Sequence, residues 1–165
     1  MFTNETFLFR NSTQGTSRYG EEYRVNAQAQ RLYRRARQQA NLGALASSLA
    51  GHSPRHLASL AAATGGHTVA SRHYAGLQTV PLSRIRGSVN RCSDFDEELR
   101  PLDDASEQRW LRVATARAEG TSLPPVELVR LRNGYFIQDG HHRVSVARAR
   151  GEREIEAEVV EWQVE

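Results

Sequence analysis

The spacing of hydrophobic positions changes character along the chain. From residue 21 to about 50, Val25, Ala29, Leu32, Ala36 and Ala40 recur at three- and four-residue steps, and from residue 21 no Pro or Gly intervenes before Gly43. That spacing predicts a helix with one apolar stripe. Leu42, Leu45 and Leu49 either extend it or open a second helix, with Gly51 as the stop. Ser53-Pro54 reads as a further helix start, Ser at the N-cap and Pro at the first helical position. This helix would carry Leu57, Leu60 and Ala61 on one face and end at Gly65-Gly66. Ahead of all these, residues 1–20 are polar, with Phe7, Leu8 and Phe9 as their apolar cluster. The expectation there is a flexible segment, ordered only by docking.

From residue 77 the period becomes two. Leu77 to Leu82 alternates as a strand, and Pro81 places it at a sheet edge or a strand end. Residues 86–103 read as a loop with an acidic run, Asp94 to Glu98. Asp104 and Glu107 stand at capping-box spacing and open a helix to about Ala118, with Trp110, Val113 and Ala114 inward and Gly120 as the stop. Pro124-Pro125 leads into a strand from Val126 to Leu131, and Asn133-Gly134 signals a tight hairpin whose turn positions need positive φ. The return strand is Tyr135 to Gln138. A short helix carrying Val144 and Ala147 follows and stops at Gly151. Ile155, Ala157 and Val159 alternate with glutamates in a last strand. Val160, Trp162 and Val164 continue on the other phase, which suggests a bulge near Val159.

These elements predict an α+β fold: a small mixed sheet with helices, preceded by an Arg-rich α-helical region. The expected divisions are a flexible segment at 1–20, a helical extension at 21–76 and the α+β domain at 77–165. Composition sharpens this. The chain has 165 residues, enough for one real core. All 22 of its basic residues are Arg, so mechanisms that need a lysine are excluded. Residues 1–79 hold 9 Arg and 3 acids, and residues 80–165 hold 13 Arg and 16 acids. A basic first half joined to a mildly acidic second half suggests two jobs, or one job and a tether. Cys92 is the single cysteine, which excludes an internal disulfide and a cysteine-rich zinc site. No apolar run approaches the roughly 20 residues of a membrane span. No charged region precedes an apolar stretch at Met1–Glu5, so the expectation is a cytoplasmic protein without a signal peptide and without a membrane partner.

The segment Asp139-Gly140-His141-His142-Arg143 concentrates chemistry. A strand ends, a glycine follows, and a helix opens with two His and an Arg in its first turn. First-turn N–H groups lack an intrahelical acceptor, and the helix dipole favours an anion in front of them. Gly140 allows close approach, Arg143 offers a planar fork, and the histidines add donors. A phosphate or carboxylate suits this turn. The competing reading is structural, with Asp139 as a cap and Arg143 paired to Asp139 or Glu152.

The same residues resemble a family. Residues 80–162 are similar to the ParB/sulfiredoxin superfamily, in its ParB N-terminal (ParB-like nuclease) branch. Val80-Pro81-Leu82-Ser83-Arg84-Ile85 resembles the opening strand. Asn90-Arg91-Cys92-Ser93-Asp94-Phe95-Asp96 resembles the segment that follows, with Asn-Arg in place of Pro-Arg. Gly120 to Val129, with Pro124-Pro125-Val126 inside it, resembles the entry to the next strand. Asp139 to Ala147 resembles the Gly-Glu-Arg-Arg-x-x-Ala box in its Asp-Gly-x-His-Arg variant. The resemblance implies a pocket for the phosphates of CTP, ATP or ADP, with or without Mg²⁺. Gly140, His141, His142 and Arg143 would contact phosphate, and Arg91 would be a second anion contact. Sulfiredoxins read Gly-Cys-His-Arg at this turn. Here His141 stands at the Cys position, which argues against sulfiredoxin chemistry.

Two further groups are candidates. Asp139, Asp94, Asp96, Glu97 and Glu98 could hold Mg²⁺ or act as a base beside the pocket, against the plainer reading of a solvated loop. Arg24, Arg31, Arg34, Arg35 and Arg37 could follow a DNA backbone, against the plainer reading of a solvated helix face. The N-terminal helices are also where a homo-oligomer would form. The leading expectation is a nucleotide- or phosphate-binding module with a DNA-associated or regulatory role. Its rivals are a nucleotide-dependent enzyme (nuclease or phosphotransferase) and an interaction domain with a vestigial pocket.

Overall fold

The computed structural model describes residues 13–53 and 56–165. Four helices, α1 (Thr13–Leu49), α2 (Leu60–Thr64), α3 (Glu107–Ala118) and α4 (His141–Ala149), accompany six strands. The strands are β1 (Ala58–Ser59), β2 (Val69–Pro81), β3 (Ile85–Ser88), β4 (Val126–Leu131), β5 (Gly134–Asp139) and β6 (Glu154–Val164). They form one mixed sheet in the order β1-β3-β5-β4-β6-β2. The β4–β5 and β2–β6 pairs are antiparallel, and the β1–β3, β3–β5 and β4–β6 pairs are parallel.

Three apolar clusters define the layers. Val126, Leu128, Ile137, Ala157 and Val159 face one side of the sheet, where they meet Val144 and Ala147 of α4 and Phe95 and Leu99 of the loop before α3. Val129, Leu131 and Phe136 face the other side and meet Leu60 of α2. Behind α4, Ala29 and Tyr33 of α1 pack with Trp110, Ala114 and Val146, closing a second helical layer. The Trp110 indole N–H donates to Ser145 Oγ at 2.9 Å and ties α3 to α4.

The helix expected from residue 21 begins earlier, at Thr13. Residues 1–12, including the Phe7-Leu8-Phe9 cluster, lie outside the described residues. Leu42, Leu45 and Leu49 continue the same helix and are 66, 58 and 82% exposed. The helix start at Ser53-Pro54 falls partly outside the described residues. Beyond it, Ala58 and Ser59 pair with Gly87 and Ser88, and α2 spans only five residues up to Gly65, which has φ 64°. A Cβ on Gly87 would lie 1.9 Å from the Ala58 carbonyl oxygen, so this pairing requires glycine.

The helical extension expected to residue 76 gives way earlier, because β2 starts at Val69 along the eleven-residue β6. A register shift between Tyr74 and Gly76 interrupts its alternation, which hides the strand from a period count. That shift lies opposite Val159 and Val160, so the irregularity expected in the last strand sits on β2. The phase change in β6 reflects a sheet covered on both faces: Ile155, Ala157 and Val159 face α4, while Trp162 and Val164 face α2.

The hairpin turn is Arg132-Asn133, one residue ahead of expectation, with Arg132 at φ 52° and Gly134 paired to Leu131. Ile85–Ser88, expected as loop from residue 86, form β3 between β1 and β5. The carboxylate of Asp104 does not cap α3, whose N-cap position is Ser106. It accepts instead from Arg37 Nε at 3.1 Å and from the Tyr33 hydroxyl at 3.4 Å, both on α1.

Candidate functional site: the amino end of α4

β5 ends at Asp139 in the middle of the sheet, and Gly140, at φ 91°, turns the chain directly into α4. A Cβ there would lie 2.6 Å from Val126 Cγ1 and 3.0 Å from Arg143 Nε. Glycine is therefore demanded by the turn and by β4 packed under it.

His141 and His142 are both buried, 3 and 5% exposed. His141 Nε2 lies 2.7 Å from Ser88 Oγ, which also accepts the backbone N–H groups of Asn90 and Arg91 at 3.2 and 3.0 Å. The turn after β3 is thereby fastened to the start of α4. Phe95 covers both imidazoles, parallel to His141 at 6.0 Å and edge-on to His142 at 5.6 Å. Burial, with the Arg91 charge second, depresses both histidines to a pKa of about 4, so both rings are neutral at neutral pH. His142 differs from His141 in one respect: among the described residues, neither of its ring nitrogens has a hydrogen-bond partner. A buried imidazole with two unmet polar atoms is costly, and such groups are uncommon in folded proteins.

Arg91 stands over the same cluster. Its guanidinium holds the Asp94 carboxylate at 2.6–2.7 Å and lies 6.0 Å from the Phe95 ring. Two segments 50 residues apart in sequence, each singled out from the sequence, thus converge on α4. Arg143 takes the structural option. It donates to the Pro124 and Pro125 carbonyls at 2.6 and 2.7 Å and pairs with Asp139 at 2.7 Å, so its fork anchors the entry of β4 and leaves little for a ligand.

The acidic run does not assemble. Asp96 accepts the N–H groups of Glu98 and Arg100 and pairs with Arg100, and burial raises its pKa. Glu98 pairs with Arg148 at 2.8 Å, and Asp139 with Arg143. Among the described residues no group of three or more His, Cys, Asp or Glu is placed to hold a metal ion. Arg37 is occupied by the Pro101 carbonyl and Asp104, whereas Arg24, Arg31, Arg34 and Arg35 stay exposed on α1. Ser88, which organises the cluster, escaped the sequence reading. Its signal is a Ser at a strand end followed two and three residues later by turn N–H groups, and that pattern is common in proteins.

No helix among the described residues is long and apolar enough to cross a membrane. No protein-family model matches the sequence, and no curated protein matches it. Among solved structures, sulfiredoxin from Arabidopsis thaliana is similar, with a TM-score of 0.34 and 18% identity over 50% of this chain and 82% of that one. The α+β class itself rests on the six-stranded mixed sheet and its helices.

Proposed function

We propose that the chain is a phosphate-binding module of the ParB/sulfiredoxin type, and that it holds the phosphates of a nucleotide at the amino end of α4. The observation that carries this reading is His142, buried in the first turn of a helix with both ring nitrogens unmet among the described residues. A phosphate oxygen would accept from one of those nitrogens and from the first-turn N–H groups, where the helix dipole also favours it. Arg91 is the cation within the same cluster, and its partner Asp94 is the group an incoming phosphate would displace. Arg143 supports the turn without touching the ligand. The ParB branch fits better than the sulfiredoxin branch, because His141 occupies the sulfiredoxin cysteine position. Cys92 sits on the neighbouring turn, its thiol directed at the carbonyls of Ser88 and Ala58. Binding fits better than turnover, because Asp94, Asp96 and Glu98 each already hold an arginine.

Calorimetric titration with CTP, ATP and ADP in Mg²⁺ tests the reading. At least one nucleotide should bind. Arg91→Ala should weaken it about ten- to a hundredfold, the loss of one charge-assisted contact worth roughly 1.5–3 kcal/mol. Absence of binding by all three would refute the nucleotide reading.

A further inference from the structure

Between Glu22 and Asp94 the sequence contains ten arginines and no acidic residue. Most of α1 lies in that stretch. Arg24, Arg31 and Arg35 are spaced seven and four residues apart, which places them on one flank of the helix over about 16 Å. All three are exposed, and among the described residues no hydrogen bond or ion pair engages them. The flank borders a trough between α1 and the end of α4. One cavity of about 300 Å³ is walled by Arg35, Arg148 and Arg150 and continues into a second of about 380 Å³ at Arg31.

The pairing pattern identifies the ligand class. Arg148 and Arg150 already hold Glu98 and Glu152, so they do not converge on a small anion. The unpaired guanidinium groups are strung along a helix instead, as a strand of phosphates would require. No aromatic side chain lines the trough, so bases have nothing to stack on and the backbone of a duplex is what fits. A membrane surface fits less well. The apolar face of this part of α1 is spent on α3 and α4, and Gln28 and Gln39 line the same trough.

We propose that the Arg24–Arg31–Arg35 flank of α1 binds the phosphate backbone of a nucleic-acid duplex, independently of base sequence. The test is fluorescence anisotropy of the full chain with a labelled DNA duplex of about 20 base pairs, between about 50 and 200 mM salt. The wild type should bind with a steep salt dependence. Arg31→Gln with Arg35→Gln should reduce the slope of log K against log salt by about 1.8, and Arg24→Gln alone by about 0.9, one lost phosphate contact each. Arg86→Gln, the same charge change at the exposed position of β3, should leave the slope unchanged, and nucleotide binding at α4 should be unaffected in every variant. Three results would overturn the proposal: no duplex binding at the lowest salt, an equal loss in Arg86→Gln, or capture by phosphatidylserine vesicles without duplex binding.

Discussion

His142 is neutral, buried and without a hydrogen-bond partner among the described residues, and its cost should be measurable without any ligand. Leucine has a similar size and no polar atoms. His142→Leu should therefore raise the urea midpoint at pH 7 by the equivalent of about 1–3 kcal/mol while abolishing phosphate binding. A destabilised variant would mean that the ring has a partner. The histidines also set a pH dependence. Both titrate near 4 when folded and near 6.5 when unfolded, so the unfolded chain takes up protons first on acidification. Stability should be full above about pH 6.5 and fall toward pH 4, by roughly 3 kcal/mol for each ring, and His142→Leu should remove about half of that loss. At this scale the pattern pointed to Gly140, His141, His142 and Arg143 as one expected anion-binding turn, and the family resemblance added Arg91. The sequence could not show that the Arg143 guanidinium is occupied, because the carbonyls that hold it belong to Pro124 and Pro125, distant in sequence.

At the scale of elements, most of the fold was legible where turn and cap residues bound an element. β4 has the bounds its pattern predicts, and α3 ends just before the glycine that marks it. Legibility failed where an element is too short for a period or the pairing is remote. β3 and the two-residue β1 have no period to read, and β2 loses its alternation at a register shift. Gly87 is the pivot of this poorly legible edge, since β1 can approach β3 only where a side chain is absent. Gly87→Ala should cost more than the usual 1 kcal/mol of a point change and release residues 56–64 to rapid amide exchange. Unchanged exchange there would show that β1 does not need the glycine.

On the scale of the whole molecule, α1 does more than extend the domain. Tyr33 and Arg37 hold Asp103, Asp104 and Pro101, and so brace the loop that carries Phe95 over the two histidines. The basic helix and the α4 turn belong to one packed body. The sequence displayed their charge difference without their contact, because the contact runs through single side chains and not through a repeating pattern. Whether phosphate meets His142 is something the imidazole itself can report. Nitrogen-15 NMR of the His142 ring during titration with CTP, ATP and ADP should show saturable shifts, with its pKa rising from about 4 as a bound anion favours the charged ring. A nucleotide that binds while the His142 resonances stay unmoved would mean that its phosphates do not meet His142.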